Sequence, residues 1–171
     1  MLSINDQFAP AAAFLGSATV DANPAHVTYV VDTARDAPNH SIVGDHAYWV
    51  SGLTIRSQSH TATNGDPEGE TDVFSHGFGT SDPVASGSAP GTGTLTGGNM
   101  GPLACAGLTQ TWSPPAPAPA SDTLDINATN IATASIDVSR AHVDCNVNLN
   151  ITTDGPITVT LAGCNRTVQA G

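Results

Sequence analysis

The sequence predicts an all-β fold, an antiparallel β-sandwich with long Gly/Pro-rich loops. Apolar and polar residues alternate with period two in several stretches, as in strands with one buried and one wet face. Lysine is absent and Glu occurs only as Glu68 and Glu70, so the best helix formers are scarce while Thr, Val, Ile, Asn and Gly abound. Short apolar stretches are broken by Gly, Pro, Asn and Asp, and no segment carries a helical period.

Taken in order, the run 9–15 holds Pro10 and lacks a basic leader, so it reads as neither membrane anchor nor signal peptide. Export would therefore have removed a leader already, and the ends at Met1 and Gly171 suit a domain cut from a longer polypeptide. Strands are expected at 27–32, 47–56, 71–78, 93–96, 124–128 and 134–138, with weaker candidates at 19–21 and 103–109. In the second of these, Trp49, Leu53 and Ile55 point to the core and Tyr48 lies at the sheet surface. Residues 81–101, dominated by Gly, Ser, Thr and Pro, read as a long surface excursion. Residues 114–119 read as an extended polyproline connector. One domain over 1–171 is expected, with a sub-boundary at 113–120 as the alternative. The roughly 50 residues beyond that connector are few for an independent core. No internal repeat at a fixed period is expected.

The cleanest alternation runs from Val143 to Ile151 and resumes from Ile157 to Leu161 after Thr153-Asp154-Gly155. It reads as a β-hairpin with a three-residue turn and Gly155 at the left-handed position. Parity places Ile151 opposite Ile157, Leu149 opposite Val159 and Val147 opposite Leu161. Cys145 and Cys164 lie at the two ends of this unit and are the expected disulfide, provided a bulge near Gly163 turns Cys164 inward. Cys105 paired with one of them, or three free thiols, are the alternatives. Cys105 itself has no basic neighbour in sequence and reads as a small buried residue.

With 15 Asp and Glu against 4 Arg the formal charge is −11, and the arginines are scattered. Phosphate binding requires clustered cations, so nucleic acid and anionic membranes are excluded as partners. No apolar run reaches the roughly 18 residues of a membrane span. The acidic run 64–72 offers Asp66, Glu68, Glu70 and Asp72 as oxygen ligands for calcium, against the alternative of a solvated turn. Its spacing is not that of an EF-hand. The sequons at Asn39, Asn127, Asn150 and Asn165 read as surface asparagines. Among the histidines, His40 and His46 near Asp45, and His76 beside Ser75, are the candidates for a Ser/His/Asp arrangement, although no G-x-S-x-G elbow is present. Tyr48 and Trp112 are the candidate binding aromatics.

The blocks Asp45-His46-Ala47-Tyr48-Trp49-Val50-Ser51-Gly52-Leu53 and Asp154-Gly155-Pro156-Ile157-Thr158-Val159-Thr160-Leu161 resemble β-rich accessory domains of secreted actinobacterial α/β-hydrolases. The resemblance covers about a third of the chain and includes no catalytic motif. It implies a noncatalytic partner of an adjacent hydrolase domain, outside the cell, that shapes the substrate cleft or grips an insoluble extracellular polymer. Two other readings stand beside it. One is a structural subunit of a surface fibre, adhesin or virion; the other is a small secreted hydrolase.

Overall fold

A computed structural model of the chain describes residues 12, 13, 15, 16, 19–60, 65–95 and 102–171. The chain is all-β. Its strands are β1 (His26–Asp32), β2 (Val50–Ile55), β3 (Glu68–Ser75), β4 (Val84–Leu95), β5 (Leu103–Ser113), β6 (Thr123–Thr129), β7 (Ile131–Asp137), β8 (Asn148–Thr153), β9 (Ile157–Ala162) and β10 (Arg166–Ala170). They divide between two compact units, residues 1–21 with 83–115 and residues 22–82 with 116–171.

The larger unit contains two four-stranded sheets, ordered β1-β3-β6-β8 and β10-β9-β7-β2. Both supply one hydrophobic cluster: Val27, Val31, Val73, Leu124 and Ile126 from the first, Val50, Leu53, Ile131, Ile136, Ile157, Val159 and Leu161 from the second. Trp49, 1% exposed, joins this core, and its indole N–H donates to the Pro24 carbonyl at 2.7 Å. A buried indole needs such a partner.

The expected hairpin between Val143 and Leu161 is not formed. Alternation placed six residues inward that are so, Val147, Ile157, Val159 and Leu161 buried and Leu149 and Ile151 half-buried, but Cys145, which it also placed inward, is exposed in the turn before β8. The two strands, however, belong to different sheets. β8 runs parallel to β6, with Leu149 beside Leu124 and Ile151 beside Ile126. β9 runs parallel to β7, with Val159 beside Ala134 and Leu161 beside Ile136. Each link is thus an arch crossing from one sheet to the other, and the two arches stack in constant register. That register is an internal repeat the sequence reading did not expect.

The physical reason lies at the corner. Asn130 alone joins β6 to β7; it is 1% exposed and adopts the left-handed conformation at φ 55°. Its side-chain oxygen accepts from Ser57 N–H at 2.8 Å, which orients the amide. Its Nδ2 then donates to the Ser57 and Glu68 carbonyls at 2.8 and 2.7 Å. Below it, Asp154 of the second arch accepts from Asn130 N–H at 2.9 Å and from Arg56 at 2.7 Å. A Cβ on Gly155 would stand 2.8 Å from the Arg56 guanidinium carbon, so the arginine fills the place where a side chain would sit.

The Cys145–Cys164 disulfide is formed, with Cα atoms 5.5 Å apart. It ties the turn before β8 to the turn between β9 and β10. Gly163, at φ 81°, reverses the chain in that second turn, so Cys164 meets Cys145 from a turn and no strand bulge is involved. The bulge lies instead in β2, where Gly52 at φ 60° shifts the register, so that Val50 before it and Leu53 after it both face the core. Tyr48 consequently lies in the turn preceding β2, not on the strand.

In the smaller unit β4 pairs with β5 as a two-stranded sheet. Residues 84–95, within the stretch expected as a surface excursion, are therefore strand throughout, of which only 93–95 were expected, whereas 19–21 are not strand. The chain passes between the units within the proline-rich stretch, after Pro115. Cys105 lies on β5, with its side chain outside those described.

Candidate functional site

The edge strands β1 and β2 leave a cleft of about 330 Å³ in the larger unit. Its floor belongs to the core: Val31 and Leu53 are 3% and 2% exposed, and Val43 and Ile55 also line it. Thr33, Asp36, Asp45, Thr54 and Gln58 add polar groups. Apolar walls with a few polar groups are the ordinary constitution of a ligand cleft. Local structure holds its mouth. The Asp32 carboxylate caps the 3-10 turn Thr33–Arg35 by accepting from Ala34 N–H. Asp36 accepts from Gly44 N–H at 2.8 Å, and the Asp45 carbonyl accepts from Leu53 N–H at 3.0 Å. Gly44 packs closely here, since a Cβ would stand 3.2 Å from the Tyr29 hydroxyl. Ile42 and Val43 remain 60% and 40% exposed.

A second polar cluster lies on the outer face of the first sheet. His26 Nε2 is 3.0 Å from Asp72 and its Nδ1 is 2.6 Å from Asp82, so each ring nitrogen meets a carboxylate and both must carry protons to satisfy them. Partial burial alone would lower the His26 pKa, but the hydrogen bonds and charges of Asp72 and Asp82 outweigh it and raise the group above 6.5. The edge of Phe74 separates this imidazole from His76, which bonds Asp125 at 2.7 Å. Hydrogen bonds from His76 and Asn150 hold Asp125 below its ordinary pKa. Phe74, His76, Thr80, Ser81, Asp82 and Ala118 line a groove of about 250 Å³ beside it.

The residues expected to bind calcium are not gathered. Asn64 lies outside the described residues, and Glu68, Glu70 and Asp72 follow one another along the outer face of strand β3 instead of converging in a turn. Asp66 pairs with Arg35 and Asp72 with His26 and Thr28. Among the described residues no group of three or more His, Cys, Asp or Glu is placed to hold a metal ion. The candidate catalytic residues are likewise dispersed. His46 bonds its neighbour Asp45, His76 bonds Asp125, and His40 ends a separate 3-10 turn, Pro38–His40. Ser75 is committed to the Ala141 carbonyl. Tyr48 is 47% exposed and Trp112 60%, but they belong to different units. The cleft is not legible in the sequence, because Leu53 and Ile55 read as ordinary core and its lining comes from separate stretches of the chain, 31–36, 43–45 and 52–58.

No family model, no curated protein and no solved structure matches the chain.

Proposed function

We propose that the chain is a noncatalytic accessory module of an extracellular hydrolase, and that the cleft between β1 and β2 holds a segment of neutral polymer bearing short aliphatic groups. The observation that carries this is the composition of the cleft: an apolar floor reached between two sheet edges, with the Asp36 and Asp45 carboxylates able to accept from hydroxyl groups and the Thr33 hydroxyl and Gln58 amide able to donate to carbonyls. The formal charge of −11 disfavours anionic polymers. Three of the cleft residues, Asp45, Gly52 and Leu53, fall in the first block that resembles hydrolase-associated domains. The Cys145–Cys164 disulfide supports a site of action outside the reducing cytoplasm.

Retention of the pure protein on suspended insoluble polymers tests the reading. An aliphatic polyester should retain it better than cellulose or chitin, and Val43→Asp should weaken that retention at least tenfold without lowering thermal stability. No retention on any polymer, together with no association with a hydrolase domain, refutes it.

A further inference from the structure

Within the larger unit, residues 79–82 and 116–121 run antiparallel and hold each other as a strap. Ser81 N–H donates to the Ala116 carbonyl and Ala118 N–H to the Gly79 carbonyl, both at 2.9 Å. Ala116 N–H donates to the Ser81 hydroxyl at 3.2 Å, and Thr80 bridges Pro117. Pro83, Pro115, Pro117 and Pro119 have no N–H to offer, so backbone bonds that could seat this strap on the sheet are few. One end is tied through the backbone, where Ser121 N–H donates to the His76 carbonyl at 3.2 Å. At the other end the tie is ionic. The Asp82 carboxylate lies 2.6 Å from Nδ1 of His26, the first residue of β1, whose Nε2 meets Asp72 of β3 at 3.0 Å. The second Asp72 oxygen accepts from the Thr28 hydroxyl at 3.0 Å. Strap and sheet together line the groove of about 250 Å³, with Phe74 and His76 at the end of β3 on one side and Thr80, Ser81, Asp82 and Ala118 on the other.

We infer that His26 is a protonation-controlled latch: as imidazolium it clamps Asp82, and with it the strap, to Asp72, and as neutral imidazole it lets the strap lift and the groove over Phe74 widen. A neutral ring has one N–H and one lone pair, so one of its nitrogens would face a carboxylate oxygen, acceptor against acceptor. Charge acts in the same direction. The cationic ring lies between two anions, whereas without its charge Asp72 and Asp82 repel each other across it. Beyond the edge of Phe74 the next titratable groups are His76 and Asp125 of β6, which bond each other at 2.7 Å. Burial would lower the His26 pKa, yet Asp72 and Asp82 raise it above 6.5. The latch is therefore closed below pH 6.5 and opens as pH rises through the higher folded-state value. The inference does not depend on the polymer cleft.

Amide hydrogen exchange of the full chain, corrected for the intrinsic rate at each pH, tests it. Between about pH 5 and about pH 8 the protection of the Ser81 and Ala118 amides should fall at least threefold. Val73 of β3 should remain far more strongly protected at both, which shows that the strap opens while the sheet stays closed. His26→Ala and Asp82→Ala each remove one side of the clamp, so both should show the low strap protection at either pH. Asp125→Asn, which acts on His76, should leave the pH response in place and separates the two histidines. Strap protection that is independent of pH in the parent overturns the inference. So does an undiminished pH response in His26→Ala or Asp82→Ala, or its loss in Asp125→Asn.

Discussion

Replacing Asn130 by alanine tests whether one buried amide holds the arch between the two sheets. The side chain makes three hydrogen bonds, accepting from Ser57 N–H and donating to the Ser57 and Glu68 carbonyls. At about 1 kcal/mol net per bond, their loss costs about 3 kcal/mol. Alanine must also hold the left-handed backbone of this position, φ 55°, which adds about 1 kcal/mol. The expected loss is therefore about 4 kcal/mol. With a urea slope of about 2 kcal/mol per molar, the unfolding midpoint should fall by about 2 M, read by circular dichroism with the disulfide intact. Asn130→Gly restores the backbone freedom but not the bonds and should recover about 1 kcal/mol. Asn130→Asp is isosteric, yet it turns a carboxylate oxygen toward two carbonyls, and Asp154 already accepts from the same residue's N–H. It should be no better than alanine at pH 7. A loss below about 1 kcal/mol for alanine, within the range of a single hydrogen bond, would refute the corner as described.

Four further outcomes are expected. Cys145→Ser should cost about 3 kcal/mol in the chain-entropy account, since the bond closes a loop of sequence separation 19; urea unfolding of the oxidised parent against the variant measures it. The raised pKa of His26 means that its contribution to stability is fully present below pH 6.5 and lost as pH rises through the higher folded-state value. NMR titration of the imidazole checks this, Asp82→Asn should bring the value down, and a folded-state pKa below 6.5 in the parent would contradict the two-carboxylate geometry. Thr71→Val should stabilise the larger unit by about 1 kcal/mol in thermal unfolding, because the Thr71 hydroxyl is buried without a partner. Removal of calcium with a chelator should leave the melting midpoint unchanged, because Glu68, Glu70 and Asp72 are spread along β3; a fall on chelation would show that they converge on an ion.

Much of the architecture was legible because burial in a strand leaves a period of two. The inward parities of Val147, Leu149, Ile151, Ile157, Val159 and Leu161 follow from the sequence alone, and so do the core positions of Trp49 and Leu53. Pairing partners were not legible, because a hairpin and an arch impose the same alternation on their two arms. What distinguishes them is the company kept at the corner, and Asn130, Arg56 and Ser57 come from distant parts of the chain. One signal was available: Leu124-Asp125-Ile126-Asn127 and Leu149-Asn150-Ile151-Thr152 carry the same pattern, and these are the residues that stack in parallel. The register of β2 was illegible for a different reason, since Gly52 can reverse the parity of a strand without disturbing its composition. The disulfide was legible in its partners but not in its path, because strict alternation could not foresee that both cysteines sit in turns.

The arginines connect the fold to the proposed ligand. Arg56 bonds Asp154 and lies within hydrogen-bonding reach of the Ile131 and Pro156 carbonyls. Arg140 bonds Asn23 and the Ala22 and Tyr48 carbonyls, and Arg166 bonds the Cys145 and Val147 carbonyls. Arg35 pairs with Asp32 and Asp66. Three of the four therefore reach backbone oxygens in turns and connections, where a planar fork of five donors can satisfy several acceptors at once and an ammonium could not do so in the same geometry. The arginines are thus committed largely to holding irregular chain. Asp36 and Asp45, at the cleft, take a backbone N–H and a histidine respectively. Asp36 and Asp45 at the cleft disfavour an anion there, so a ligand that seats between β1 and β2 must be held by apolar contact with Val31, Val43, Leu53 and Ile55 and by neutral hydrogen bonds. Binding to an aliphatic polymer should accordingly persist at high salt, where an electrostatic association would fail.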